Sequence, residues 1–69
     1  MLTIKIIYYD GIKIIPDVND FRTTDNILIV QKNGYDTLQV RMKLIIGYCI
    51  YSDGTLIDEY KNENEEENE

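Results

Sequence analysis

Three Asx-Gly pairs divide this sequence into strand-length segments and constrain its fold more than any other feature. They are Asp10-Gly11, Asn33-Gly34 and Asp53-Gly54. Both residues of such a pair readily adopt a positive φ, which the two-residue type I′ turn of a β-hairpin requires. Each pair lies between runs of β-branched and aromatic residues, so the sequence predicts three β-hairpins.

The runs around these pairs supply the expected strands. The three predicted hairpins join residues 2–9 to 12–15, residues 27–32 to 35–42, and residues 44–52 to 55–60. Pro16 lacks an amide donor, so it should end the pairing of the first hairpin or place its second strand at a sheet edge. Residues 17–26 are expected to form a loop, with room for one helical turn and with Phe21 as an anchor on the core.

Helix is disfavoured throughout the first 60 residues. The sequence contains no alanine, is rich in β-branched and aromatic residues, and has no apolar run with a sustained 3.6-residue spacing. We therefore expect an all-β fold, a small meander of five or six antiparallel strands. Such a meander forms a strongly bent sheet or closes into a barrel, since closure removes exposed edges.

The negative charge is concentrated at the C-terminus. The chain has a net charge of -6, yet residues 1–57 contain six acidic and six basic residues. The segment 61–69 has no apolar residue and so cannot offset the entropy of ordering itself. We expect a β-domain at residues 1–60 and a disordered acidic tail at 61–69. This tail either solubilises the domain or imitates a phosphate backbone towards a basic partner surface.

The strand faces predict a surface that the domain itself does not cover. Residues 35–42 alternate between apolar and polar side chains, so one face of this strand is expected to be wet. The segments 2–9 and 44–52 are apolar on both sides. A small domain with a single core hides one face of such strands, so the other face needs a loop, a second copy or a partner. We expect a homo-oligomer or a partner-binding surface.

The residues that usually announce a catalytic or metal site are missing. Without histidine, the chain has no imidazole base and no imidazole ligand. Cys49 is the single cysteine and lies in an apolar strand, where a thiol behaves as a small hydrophobe. The aspartates of the body fall at turns and loops, where their backbone preferences place them. We expect no enzyme, no catalytic residue, no metal and no cofactor.

Cysteine usage and the N-terminus both bear on the cellular compartment. A single cysteine forms no internal disulfide, which is typical of a reducing cytosol. The apolar residues 1–9 include Lys5, lack a cleavage-site pattern and end at Asp10-Gly11, well short of a membrane-spanning length. We therefore expect a cytoplasmic protein with neither a signal peptide nor a membrane helix.

Tyrosines are the candidate binding residues, because each offers a large contact area at a low entropic cost. The residues expected at the binding surface are Tyr8, Tyr9, Tyr35, Tyr48, Tyr51 and Arg41. Tyrosines on a β-barrel also stack on bases, but the cations here are balanced by acids and form no cluster beyond Arg41 and Lys43. The charge pattern therefore argues against direct nucleic-acid binding.

Several features of the sequence together are typical of one class of small proteins. They are the short body with Asx-Gly hairpins, the acidic end, the heavy use of isoleucine, asparagine, lysine and tyrosine, and the turn Tyr51-Ser52-Asp53-Gly54-Thr55. In these respects the chain resembles the small accessory proteins of phages and mobile elements of low-GC bacteria, some of which are anti-CRISPR or other anti-defence inhibitors. The resemblance implies a non-catalytic, phage-encoded inhibitor that binds a host or viral protein.

Two other roles stay open at this point. An oligomer of the chain can bind a small ligand or a nucleotide through Arg22, Arg41 and Lys43, with tyrosines stacking on the ligand. The chain can also be a minor structural phage protein. Thermal stabilisation by nucleotides favours the first role, whereas concentration-dependent association without a host partner favours the second.

Overall fold

The computed structural model describes residues 1–62, which form seven β-strands and one turn of 3-10 helix. The strands are β1 (Leu2–Tyr8), β2 (Gly11–Val18), β3 (Asp20–Thr24), β4 (Ile27–Lys32), β5 (Tyr35–Arg41), β6 (Gly47–Ser52) and β7 (Thr55–Lys61). The 3-10 helix, Met42–Leu44, separates β5 from β6. The predicted all-β class is confirmed, and the predicted count of five or six strands is too low.

The strands form two antiparallel sheets rather than one bent sheet or a closed barrel. The four-stranded sheet has the order β2-β1-β6-β7, and the three-stranded sheet has the order β3-β4-β5. In the first sheet Ile4 of β1 pairs with Ile50 of β6, although the two are far apart along the chain. The predicted meander is therefore interrupted, because the chain leaves the first sheet after β2 and returns to it only at β6.

Residues 17–26, which the sequence predicts to be a loop, are largely strand. β2 runs to Val18 and β3 begins at Asp20, so Asn19 alone carries the chain from one sheet to the other. The backbone N–H of Asn19 donates to the carbonyl oxygen of Gln31 at 3.0 Å. This hydrogen bond holds the crossing point against β4.

A β-bulge lets β2 continue past Pro16. The register of β1 and β2 shifts between Leu2 and Ile4, where β2 has one extra residue. Asp17 lies in this stretch and has a φ of 59°, a local bend of the kind that bulges introduce. Of the two outcomes predicted from Pro16, the pairing does not end there, and β2 is instead an edge strand, where a residue without an amide donor is tolerated.

Two of the three Asx-Gly pairs form turns with the expected backbone. Asn33 and Gly34 have φ values of 56° and 84° between β4 and β5. Asp53 and Gly54 have φ values of 52° and 86° between β6 and β7. In each pair both residues have the positive φ that a type I′ turn requires.

The first Asx-Gly pair does not form the predicted type I′ turn. Tyr8 pairs with Gly11, so the two residues of the turn are Tyr9 and Asp10. Neither of these has a positive φ. The hairpin is therefore present, but its turn is displaced by one residue and is of another type.

A further turn with two positive φ values joins β3 to β4 and contains no glycine. Asp25 and Asn26 have φ values of 51° and 65°. Asp and Asn are the residues other than glycine that visit this region most readily, because their short polar side chains bond to the local backbone. The pair Asp25-Asn26 was thus a turn signal inside the region predicted to be a loop.

The hydrophobic core lies between the two sheets. The core cluster consists of Ile4, Ile6, Ile15, Val18, Leu28, Val30, Val40, Ile45, Tyr48 and Ile50. Val40 of β5 is buried, whereas Gln39 and Arg41 on either side of it are exposed. The predicted wet face of residues 35–42 is therefore confirmed.

The end of the described chain is anchored by Asn62. Its backbone N–H donates to the carbonyl oxygen of Ile46 at 2.7 Å, and its side-chain amide donates to the carbonyl oxygens of Lys43 and Ile45. Asn62 is the buried polar residue of the described chain. Lys61 and Asn62, which the sequence assigns to the tail, therefore belong to the fold, and the rest of the predicted tail lies outside the described residues.

Candidate functional site

The side of the four-stranded sheet that points away from the core is largely apolar. Lys5 of β1 pairs with Ile14 of β2 and with Cys49 of β6, and Cys49 pairs with Glu59 of β7. Residues paired in this way lie on the same side of a sheet. With the neighbouring rows included, we define the outer face as Lys5, Ile7, Ile12, Ile14, Cys49, Tyr51, Leu56 and Glu59.

Large apolar side chains of the outer face are exposed at both of its margins. On β2, Ile12 and Ile14 are 60% and 62% exposed, and on β7 Leu56 is 46% exposed. The half-buried apolar residues between these margins are Ile7, Cys49 and Tyr51. Single exposed apolar residues are ordinary on a protein surface, but a group of apolar residues to which all four strands of a sheet contribute is typical of an interaction surface.

Tyr51 and Cys49 are neighbours on this face. The pKa of Tyr51 is raised above 10.0, first by the electrostatic influence of Cys49, then by desolvation, by a side-chain hydrogen bond with Cys49 and by Glu59. The phenol is therefore neutral at physiological pH. Tyr51 and Cys49 thus add uncharged contact area to the outer face, next to Lys5 on β1 and Glu59 on β7.

The two edges of this sheet are poorly suited to accept another strand. On β2, Pro16 has no N–H and Asp17 lies in a bulge. On β7, the register shifts opposite Ile50 and Tyr51, so Ile57 is an extra residue in the strand. Prolines and bulges on edge strands oppose edge-to-edge pairing. The face, rather than an edge, is therefore the part of this sheet that fits a partner.

The predicted binding tyrosines do not form one surface. Tyr48 was expected to be exposed, but it is 4% exposed and belongs to the core. Tyr8 is half-buried and packs against the same core. Tyr9 lies in the first turn, and Tyr35 is 76% exposed at the beginning of β5. Of the five tyrosines, Tyr51 alone belongs to the outer face.

Tyr48 points inward because it lies on the same side of β6 as the core residue Ile50. Its ring stacks on that of Tyr60 of β7, with the ring centroids 5.5 Å apart and the planes at 27°. Burial raises the pKa of Tyr48, and Asp58 and Tyr60 raise it further. Both sides of β6 are apolar in the sequence, and the prediction that Tyr48 is exposed is wrong.

The isoleucines on the outer face of β2 are not among the predicted binding residues. Ile12 and Ile14 were assigned to a strand, but their side of it was not recognised as exposed. The signal was present in the alternation, since Ile12 and Ile14 lie on one side and Ile15 lies on the other. The alternation alone does not indicate which side of β2 faces the three-stranded sheet.

The second candidate site is a pocket of about 310 Å³ at one end of the three-stranded sheet. Its lining residues are Asp25, Asn26, Ile27, Arg41, Lys43 and Leu44. It brings together two of the three cations that were proposed to bind a ligand. The third, Arg22, lies on β3 opposite Ile29 and is not part of the lining.

Residues 1–62 form a small two-sheet β-protein in which the outer face of the four-stranded sheet is largely apolar and is covered by no described element. No protein-family model, no curated protein and no solved structure matches this chain. Within residues 1–62, no helix is long and apolar enough to cross a membrane. In the same part of the chain, no group of three or more His, Cys, Asp or Glu side chains is placed to hold a metal ion.

Proposed function

We propose that this chain is a non-catalytic protein-binding module that holds its partner on the outer face of the four-stranded sheet. The observation that carries this proposal is the exposure of Ile12, Ile14 and Leu56 on a face that has no role in the core. Leaving such side chains in water opposes solubility, and burial against a partner contributes roughly 25 cal/mol per Å² of apolar area.

The partner that fits this face is another protein with a flat, apolar surface. Lys5 and Glu59 lie in the same row as Cys49, so a complementary surface carries an acidic and a basic group at a matching separation. Because Pro16 and the bulges protect the sheet edges, the contact is made by side chains rather than by an added strand. A second copy of the chain also has this charge pattern, so self-association is one outcome of the test.

The particular form of this proposal is a phage-encoded inhibitor of a host defence protein, acting in the cytoplasm of a bacterial cell. The resemblance of the sequence to small phage accessory proteins supports the role of inhibitor. The single cysteine supports a location in the reducing cytoplasm. The acidic residues after Asn62 assist the contact by facing a basic surface of the partner. These residues contribute mainly to the rate of association, whereas the outer face contributes to the lifetime of the complex.

Affinity capture from a lysate of the bacterial host tests the proposal when it is done with matched variants. One variant carries Ile12→Ser, Ile14→Ser and Leu56→Ser, and the control carries Tyr35→Ser in the other sheet. We expect one stoichiometric protein to be retained by the wild type and by the control, and to be lost with the outer-face variant. Equal retention by the outer-face variant contradicts the proposal.

Two further measurements test whether a second copy binds the outer face and whether the acidic segment takes part in binding. Light scattering on the purified wild type and on the outer-face variant measures self-association. A wild-type dimer that becomes a monomer in the variant shows that the occupant is a second copy rather than a different protein. Capture with a chain that ends at Asn62 tests the acidic segment without removing the hydrogen bonds of Asn62.

A further inference from the structure

The pocket at the end of the three-stranded sheet is built from four elements: the turn between β3 and β4, the strands β4 and β5, and the 3-10 helix. The turn between β3 and β4 supplies Asp25 and Asn26. Ile27 at the beginning of β4 and Arg41 at the end of β5 are direct cross-strand neighbours. The 3-10 helix that follows β5 adds Lys43 and Leu44.

The backbone around this pocket is held in place by hydrogen bonds. The N–H of Met42 donates to the carbonyl oxygen of Asn26 at 2.8 Å, so the 3-10 helix is joined to the opposite turn. The side-chain amide of Asn62 donates to the carbonyl oxygen of Lys43 at 3.4 Å and to that of Ile45 at 3.2 Å. These bonds hold in place the backbone that carries the lining residues, five of which are exposed to solvent.

The charge of the pocket differs from that of the rest of the chain. Residues 1–62 contain eight acidic and seven basic residues, and the whole chain has a net charge of -6. The pocket lining has two cations, Arg41 and Lys43, against one carboxylate, Asp25. Positive charge therefore collects locally in a chain that is acidic overall, and a concave site of this kind attracts small anions.

We propose that this pocket binds the phosphate group of a compact, hydroxyl-bearing phosphate ester, such as a sugar phosphate. Arg41 presents a planar fork of N–H donors that matches phosphate oxygens, and Lys43 adds a second positive charge. Asp25 and Asn26 line the same pocket and bind the hydroxyl groups of the ligand. The Asp25 carboxylate accepts hydrogen bonds, and the Asn26 side-chain amide both donates and accepts them. Ile27 and Leu44 cover the carbon skeleton.

The size and the lining of the pocket limit the ligand. The volume of about 310 Å³ is at the lower end for small-molecule sites. None of the six lining residues is aromatic, so a nucleobase has no ring to stack on. The site therefore favours a compact phosphate ester over a nucleotide, in contrast to the tyrosine stacking that the sequence suggested for a nucleotide ligand.

An NMR titration of the full chain tests this site. The probes are inorganic phosphate, ribose 5-phosphate and adenosine monophosphate, each added at low ionic strength while the amide signals of Asn26, Ile27 and Leu44 are followed. We expect saturable shifts of these signals with ribose 5-phosphate and weaker binding of inorganic phosphate. Arg41→Gln is expected to weaken binding of ribose 5-phosphate about tenfold, as loss of a charge-assisted contact does.

The matched control for this experiment is Arg22→Gln, which removes a cation from the same sheet but outside the pocket lining. Its affinity for ribose 5-phosphate is expected to equal that of the wild type. An equal loss in Arg22→Gln and Arg41→Gln overturns the site, because it indicates general charge attraction. Absence of saturable shifts overturns it as well, and tighter binding of adenosine monophosphate than of ribose 5-phosphate overturns the assignment of a compact ligand.

Discussion

The two sheets of this protein differ in what they present to solvent. The four-stranded sheet is apolar on its inner face and also on its outer face, where Ile12, Ile14 and Leu56 are exposed. The three-stranded sheet is apolar inside, and its outer side mixes apolar and long polar residues. There Ile29 is buried between Arg22 and Gln39 in register, and their long side chains flank it.

This difference shows which apolar faces the core needs and which apolar face it does not need. Two packed sheets need one apolar face each, and the core between the sheets of this protein satisfies that need. On the outer side of the three-stranded sheet, Ile29 is buried in a row between two long polar residues, Arg22 and Gln39. On the outer face of the four-stranded sheet, Ile12, Ile14 and Leu56 are covered by no element within residues 1–62, so this face is the better candidate for a partner.

The largest expected effect tests the two faces of the four-stranded sheet directly. Ile6→Ala on the inner face removes a fully buried side chain and is expected to lower the free energy of unfolding by about 3 kcal/mol. Ile14→Ala on the outer face is expected to lower it by less than about 0.5 kcal/mol. Urea unfolding measures both, and Ile6→Val, at about 1 kcal/mol, gives an intermediate step if the alanine variant does not fold. A loss for Ile14→Ala as large as that for Ile6→Ala means that a second copy covers the outer face in solution.

The next effect concerns Gly47, which lies between Ile7 and Lys61 in the rows of the four-stranded sheet. A Cβ atom at this position collides with the backbone carbonyl oxygen of Tyr60, which cannot move aside as a flexible side chain does. We expect Gly47→Ala to lower the free energy of unfolding by about 2 kcal/mol, as overpacking does. The melting temperature measures the loss, with Thr3→Ala in β1 as a control of smaller effect. A Gly47→Ala variant as stable as the wild type contradicts the close approach of β6 and β7.

A smaller effect is expected at the junction between the two sheets. Asn62→Ala leaves the carbonyl oxygens of Lys43 and Ile45 without the amide that donates to them. We expect a loss of about 1–2 kcal/mol in urea unfolding, typical of a buried hydrogen-bonding group. A chain ending at Asn62 should keep the stability of the full chain, whereas a chain ending at Tyr60 should lose at least as much as Asn62→Ala. Equal stability of the two truncated chains contradicts the anchoring role of Asn62.

The smallest expected effect is a pH dependence of the free energy of unfolding, caused by Tyr48 on the inner face of the four-stranded sheet. Burial, Asp58 and Tyr60 raise the pKa of Tyr48 above 10.0, the value of an unperturbed tyrosine. Because the folded state holds the phenol proton more tightly, this contribution to stability is fully present below about pH 10 and is lost as the pH rises through the folded pKa. The free energy of unfolding should therefore fall more steeply above pH 10 in the wild type than in Tyr48→Phe. Tyr35→Phe, at an exposed position, should follow the wild type, and identical pH profiles for all three contradict the prediction.

Local signals predicted much of this fold. Asn33-Gly34 and Asp53-Gly54 each supply two residues with positive φ, so these turns follow from backbone preferences alone. Pro16 predicted either an end to the pairing or a place at a sheet edge, and β2 lies at an edge, where a missing N–H is tolerated. The alternation around Val40 predicted a wet face, since polar and apolar residues are cleanly separated in that strand.

Three features that the sequence did not predict have separate physical causes. Asp17 and the pair Asp25-Asn26 have positive φ values without being glycine, and the weaker preference of Asp and Asn made these residues read as a loop. Tyr48 was placed outside because β6 is apolar on both sides, so its alternation does not say which side is buried. The pocket cations Arg41 and Lys43 were noticed, but their neighbours Asp25 and Asn26 come from another hairpin and could not be joined to them from the sequence.

The sequence by itself determined the all-β class, most of the hairpins and the two-sided apolar character of β1 and β6, because these depend on residues close together along the chain. The tertiary structure decided how the strands divide into two sheets and which face of the four-stranded sheet is buried. Those outcomes depend on the pairing of β1 with β6, which joins distant segments, and on the three-stranded sheet, which covers one apolar face and leaves the other exposed. Alternation specifies that two faces exist, and only long-range packing selects between them.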